Sequence, residues 1–168
     1  MKKSTIAIAI NGRSGVGKDT MIGVASEHFN IRNISSVDPI KQLARIGGWR
    51  DEDKATEKGR QLLVDIKKLF VDFNDFPTKF LTNEFQECKK ARMDFMFAHI
   101  REPEEIEKFI GATGAKTLLV TRKDVEKHFD IANDNNVSAF KYDYTFQNDK
   151  SIAESGKEFV ELLREIRG

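Results

Sequence analysis

The sequence predicts a three-layer α/β/α fold built on a five-stranded parallel sheet, and three observations predict it. Apolar runs of about five to seven residues alternate with helical patterns, the signature of a buried parallel sheet with crossover helices. The first of these runs, Ile6-Ala7-Ile8-Ala9-Ile10, leads into a glycine-rich turn and then an amphipathic stretch. The chain is 168 residues long, enough for one ordinary domain that buries roughly 70% of its unfolded surface.

Strands are expected at about 5–10, 31–36, 93–99, 116–121 and 142–147. The helix after the glycine-rich turn should run to about His28, and a second follows Asp38-Pro39, where proline suits a first helical position. The segment 53–73 is the clearest helix. Leu62, Leu63, Ile66, Leu69, Phe70 and Phe73 form one continuous helical stripe. Phe76-Pro77 ends it, and a further helix covers about 78–90 with Leu81, Phe85 and Cys88 turned inward. Pro103-Glu104-Glu105 opens a helix with proline and acids where the macrodipole favours them; Gly111–Gly114 closes it. Ser151 and Glu154 read as a capping box for the last helix, which packs Phe159, Leu162, Leu163 and Ile166 on the sheet.

Composition excludes several classes. There are 28 basic and 27 acidic residues, a formal charge of +1, which is no polybasic nucleic-acid surface. One cysteine, Cys88, cannot form an internal disulfide framework or a four-thiolate zinc site and is expected as inert core. His28 and His128 lack the paired spacing of a metal site. Met1-Lys2-Lys3 and the apolar residues after it read as the lead into the first core strand rather than a signal peptide. No run approaches the roughly 20 apolar residues of a membrane span. A reduced, cytoplasmic setting is expected, and no nucleic-acid or membrane partner.

The turn itself carries the strongest chemistry. Gly12, Gly17 and Lys18 match the phosphate-binding pattern G-x-x-x-x-G-K, and a strand before and a helix after supply the context that pattern needs. Glycines let backbone amides approach an oxyanion. The helix N-terminus adds unpaired N–H groups and partial positive charge, and Lys18 adds a full charge for the outer phosphates. Phosphate groups are therefore expected against Gly12, Arg13, Ser14, Gly15, Val16, Gly17, Lys18, Asp19 and Thr20. The Ser or Thr that normally follows the lysine, to hold Mg2+, is Asp19 here, with Thr20 one place later. Gly-Lys-x-Thr points towards small-molecule kinases of the adenylate-kinase type, with Thr20 contacting phosphate or magnesium; Asp19 also suits a helix N-terminus.

Ligands of such sheets bind beyond the carboxyl ends of the strands, so the residues there are the next candidates. They include Asp38 and Lys41 after the second strand, His99 and Arg101 after the third, Arg122 and Lys123 after the fourth, and Asn148 after the fifth. Arg101 is a candidate for catalysis and for the acceptor; its alternative is an ion pair with Glu104 or Glu105. Arg60 could read the acceptor or sit on a solvated face. Asp38 could orient the acceptor, bind a magnesium water or cap its helix. The segment 122–139 is long for a plain connection and reads as a lid, with Arg122 at its start.

Gly17-Lys18-Asp19-Thr20, Asp38-Pro39-Ile40-Lys41, the turn from Ile100 through Arg101 and Pro103 to Glu105, and Tyr142-Asp143-Tyr144 leading to Asn148 together resemble deoxynucleoside monophosphate kinases of the phage type. Animal phosphomevalonate kinases share part of the pattern. The motifs run in order over nearly the whole chain. The resemblance implies the P-loop NTPase fold of nucleoside monophosphate kinases, ATP and Mg2+ as cofactors, and a small phosphorylated acceptor. It implies an acceptor-binding helical segment at about 38–92, acceptor contacts from Asp38, Lys41, Arg60 and Arg101, and catalytic roles for Lys18, Arg101 and Arg122. The chain departs from the family in two places. His99 stands where an acid is usual, and the helix from Arg60 to Lys67 lacks the usual Gly-Thr. The leading expectation is transfer to a nucleoside or deoxynucleoside monophosphate. A nucleotide-binding module without catalysis and a kinase of a non-nucleotide acceptor such as phosphomevalonate are the alternatives. A homodimer is left open.

Overall fold

The computed structural model describes residues 4–126, 137 and 139–168. Five strands, β1 (Ile6–Asn11), β2 (Ile31–Ser35), β3 (Phe95–His99), β4 (Lys116–Thr121) and β5 (Tyr144–Gln147), form one sheet. Their order is β2-β3-β1-β4-β5, and every neighbouring pair is parallel. The helices are α1 (Lys18–Ala25), α2 (Asp38–Ile46), α3 (Glu57–Asn74), α4 (Phe76–Lys90), α5 (Pro103–Thr113), α6 (Lys123–Glu126) and α7 (Ile152–Arg167), with a 3-10 turn at Asp51–Ala55. This is the α/β class and sheet that the sequence predicts.

Alternation along β1 explains the layers. Ile8 and Ile10 face a cluster with Met21 and Ile22 of α1 and Phe159 and Leu163 of α7. Ala7 and Ala9 face the opposite cluster, with Leu81, Phe85 and Cys88 of α4 and Phe109 of α5. Large side chains on one face and alanines on the other let β1 lie at the centre with both faces covered. Cys88 is buried in that second cluster, as expected of an inert core thiol, and burial pushes its thiol pKa up. Gly156 of α7 has so little room that a Cβ would lie 2.7 Å from Cγ1 of Val24, which is how α1 and α7 pack closely.

A third, smaller cluster joins α2 to α3. Ile40, Ala44, Trp49 and Leu63 form it, with Ile66, Phe70 and Phe76 against them. The Trp49 indole N–H donates to the carbonyl of Gly59 at 3.2 Å. Arg45 and Lys54 lie over the ring at 5.7 and 5.8 Å from its centroid.

Five expectations change. The apolar stripe of α3 is not buried as a whole: Leu63, Ile66 and Phe70 pack inward, whereas Leu62, Leu69 and Phe73 are exposed, because α2 and α4 cover only one side of it. The segment read as one helix from 53 is a 3-10 turn followed by α3, whose N-cap Thr56 side chain accepts from the Gly59 amide. Asp75, at φ 56°, ends α3 and starts α4, so Phe76-Pro77 opens the next helix rather than merely closing the last. Tyr142 and Asp143 fall outside β5 because Asp143 takes the Thr117 N–H and hydroxyl on its carboxylate at 2.8 and 3.0 Å. The helix α1 also stops at Ala25, with hydrogen-bonded turns carrying the chain through His28. Ser151 caps α7 as predicted, accepting the Glu154 N–H at 3.3 Å.

Two glycines separate packing from helix propensity. A Cβ on Gly59 would lie 2.2 Å from the Asp53 carbonyl oxygen, whereas nothing lies within 4 Å of one on Gly23 in α1. Gly59→Ala should therefore destabilise the protein by about 2 kcal/mol or more, and Gly23→Ala should stabilise it by about 0.5–1 kcal/mol. Urea unfolding midpoints of the two variants check this; the same sign for both would contradict the packing described.

Candidate functional site

The sheet order places the carboxyl end of β1 between those of β3 and β4. The chain leaves β1 for one side of the sheet and later returns to the other, which is the switch point where open α/β sheets bind ligands. The glycine-rich loop lies there. Gly12, Gly15 and Gly17 have φ of 146°, 85° and 88°, angles that side chains with a Cβ resist. Space is as limiting as angle. A Cβ on Gly12 would lie 2.4 Å from the Val120 carbonyl oxygen, and one on Gly17 would lie 2.5 Å from Nδ2 of Asn148.

Asn148, a strand-end candidate with no role assigned from the sequence, holds the loop. Its Nδ2 donates to the Val16 carbonyl at 2.8 Å, its backbone N–H donates to Thr121 at 2.8 Å, and the side chain is buried. Val16 is itself fully buried, so the middle of the loop is anchored by packing and by β5. Gly17 caps α1 in the left-handed conformation, without any side-chain hydrogen bond. Lys18 folds back, its Nζ donating to the carbonyls of Gly12 at 2.5 Å and Arg13 at 3.1 Å. Arg13 is half-buried, and Ser14, Gly15, Asp19 and Thr20 are exposed.

A polar cluster continues the site between α1, β2 and β3. Asn33 Nδ2 donates to Asp19 Oδ1 at 2.9 Å, which turns Asn33 Oδ1 towards His99 Nε2 at 2.7 Å. His99 Nε2 therefore carries the proton and donates. Asp19 Oδ1 lies 3.4 Å from the same nitrogen. Burial pushes the His99 pKa below its ordinary value of 6.5, against the pull of Asp19; Lys18 and Lys41 reinforce burial and Asp38 opposes it. The imidazole is thus neutral at neutral pH, and the charges that act on it come from the loop helix and from the β2–α2 turn.

At that turn Asp38 is the first residue of α2. Its Oδ2 accepts the Ser35 N–H at 2.8 Å, and its Oδ1 lies 3.4 Å from Lys41 Nζ. Asp38 and Lys41 therefore stand beside the loop helix and His99. Arg101 follows β3 with an exposed side chain. The ion pair with Glu105 considered from the sequence does not form, because Glu105 pairs with Lys67 at 2.9 Å across α5 and α3. Lys67 also reaches Ser36 Oγ at 3.4 Å, a link that sequence reasoning misses, since Lys67 stands out there only as the end of the helix motif begun by Arg60. Arg60 itself is turned elsewhere: its Nη1 donates to the carbonyls of Lys54 and Ala55 at 2.9 and 3.2 Å. Arg122 follows β4 with an exposed side chain. Most of the segment read as a lid, residues 127–136 and 138 with Lys127 and His128, lies outside the described residues.

No protein-family model and no curated protein matches the chain. Among solved structures it is similar to an unliganded sugar kinase from Janibacter sp. HTCC2649, with a TM-score of 0.56 at 12% sequence identity, over 95% of each chain. It is also similar to shikimate kinase from Aquifex aeolicus, with a TM-score of 0.54 at 14% identity, over 95% of this chain and 96% of that one. At such identities the likeness establishes a shared fold, a parallel α/β sheet with helices on both faces.

His99 yields a pH prediction. A histidine whose folded pKa is lowered contributes stability that is complete above its unfolded value and is lost as pH falls through the folded one. His99→Gln keeps a side-chain N–H for Asn33 without a titrating group. Between about pH 7.5 and 5 the wild type should lose more stability than His99→Gln, by urea unfolding at each pH. Parallel pH profiles would show that His99 is not held neutral by the fold.

Proposed function

We propose that this protein is an ATP- and magnesium-dependent kinase that transfers the terminal phosphoryl group to a small phosphorylated acceptor, with a nucleoside or deoxynucleoside monophosphate as the leading candidate. The observation that carries this reading is the glycine-rich loop. Its three left-handed glycines have no space for a Cβ at Gly12 and Gly17, and the helix behind it opens on a glycine N-cap with no side-chain hydrogen bond. Such a cradle suits phosphate oxygens. The fold shared with a sugar kinase and a shikimate kinase is consistent with it, although fold alone is a weak guide to substrate.

In this reading the amides of the loop and of Lys18–Thr20 hold the β- and γ-phosphates. The Lys18 ammonium exchanges the carbonyls of Gly12 and Arg13 for phosphate oxygens, so it is already directed over the loop before nucleotide arrives. The donor set also fits a magnesium ion. The exposed hydroxyl of Thr20, in the first turn after Lys18, and the carboxylates of Asp19 and Asp38 are hard oxygens of the kind Mg2+ accepts alongside its waters. When bound, the ion neutralises charge on the phosphates. Asp38, Lys41 and Arg101 face the acceptor, with Arg101 on its phosphate. Arg122 approaches from the end of β4. Arg60 would first have to leave the carbonyls of Lys54 and Ala55, so Arg101 carries the greater share of acceptor recognition. His99, being neutral, holds Asn33 and through it Asp19, and does not supply charge to the phosphates.

A second reading, a nucleotide-binding module without transfer, draws on that neutral histidine and on the engagement of Arg60. One experiment separates the two. Labelled ATP is offered with dAMP, dCMP, dGMP, dTMP, their ribose forms, phosphomevalonate, shikimate and simple sugars. Transfer to a phosphorylated acceptor is expected. It should fall by about 100-fold or more in Lys18→Ala, whose melting temperature should stay within a few degrees of wild type. Intact ATP binding with no transfer to any acceptor would reject the kinase and leave the module.

A further inference from the structure

Asn11, the last residue of β1, sits at a junction that none of these roles uses. Its side chain is buried and joins three separate parts of the chain. Its Oδ1 accepts the Gly12 N–H at 2.9 Å. Its Nδ2 donates to the Arg101 carbonyl at 3.2 Å and to the Tyr142 hydroxyl at 2.9 Å. The hydroxyl passes its own proton to the Val137 carbonyl at 3.0 Å. Every donor meets an acceptor, so the network has one orientation and the carboxamide cannot flip without losing all three of its bonds. Tyr142 is fixed from its other side as well, edge-on to Phe140 with ring centroids 5.1 Å apart.

The ends of this network matter for function. One is the first amide of the glycine-rich loop. Another is the main chain of Arg101, whose long side chain magnifies any rotation at its root. A misplacement of about 1 Å in a group that orients a substrate can cost 100-fold in rate. We propose that Asn11 is a positioning residue that sets Arg101 in register with the glycine-rich loop, with Tyr142 as the stop that locks it. Donor and acceptor phosphates would then be held relative to one another by one buried carboxamide. This rests on the kinase reading above, in which Arg101 takes the acceptor phosphate.

Tyr142→Phe is the cleanest probe, because it keeps the ring and removes only the hydroxyl. Acceptor kcat/KM is measured for wild type, Tyr142→Phe, Arg101→Ala and the double variant, with ATP affinity by calorimetry and thermal melting alongside. Tyr142→Phe should lower kcat/KM about tenfold, leave the ATP Kd within about twofold and lose its effect, to within about twofold, in the Arg101→Ala background. Equal losses in both backgrounds, or no loss, would overturn the proposal. Asn11→Ala should give a larger loss with the same dependence on Arg101; if it does not fold, Tyr142→Phe alone decides. Amide hydrogen exchange separates this proposal from the kinase reading. In Tyr142→Phe the Gly12 amide should exchange about tenfold faster, with Ile8 in mid-strand unchanged. If the wild type transfers phosphate to nothing, the kinase reading fails while faster Gly12 exchange still supports the junction. Unchanged Gly12 exchange overturns the junction whatever the activity.

Discussion

At the carboxyl end of β1 the backbone leaves the sheet through a glycine-rich loop, and neighbouring strand ends enforce that path. The Val120 carbonyl closes on Gly12, and the Asn148 carboxamide closes on Gly17 while gripping Val16. Neither contact tolerates a side chain on the glycine. A loop left loose would have to be ordered on binding. Anchoring through Val16 and Asn148 avoids that cost. The sheet order then brings the β2–α2 turn and the ends of β3 and β4 to the same edge. Asp38, His99, Arg101 and Arg122 arrive there as a consequence of topology.

Charge around the loop is organised by hydrogen bonds more than by ion pairing. Asn33 fixes the tautomer of His99 and holds Asp19. Asp38 spends one oxygen on its own turn, at the Ser35 amide, and lies within 3.4 Å of Lys41 with the other. The partly buried pair of Lys67 and Glu105 joins α3 to α5 and keeps Glu105 from competing for Arg101. An exposed pair would contribute little. This one is shielded by the two helices and tied to Ser36 at the end of β2, so it also fixes how α3 stands over the carboxyl edge.

The sheet, both of its helical layers and the loop were legible because periodicity and glycine spacing are local signals. Ile8 and Ile10 against Ala7 and Ala9 already divide the two faces of β1. The course of side chains across the fold was not legible. Arg60 has the spacing of an acceptor ligand, yet the 3-10 turn before α3 places the carbonyls of Lys54 and Ala55 within its reach. The exposed half of the α3 stripe follows from where α2 and α4 end, which no helical period encodes. Asn11 is a single polar residue at the end of an apolar strand, and its partners lie 90 and 131 positions away. Only the folded chain joins them.

The central claim is that the amides of the glycine-rich loop and the start of α1 receive the phosphates of ATP. The most direct measurement is a titration of the 15N-labelled protein with magnesium ATP, followed by amide chemical shifts. The amides from Ser14 to Thr20 should move together and saturate, while Ile31 and Arg32 at the start of β2 stay in place. Loop amides that do not respond at millimolar ATP, or a response confined to another surface, would contradict it.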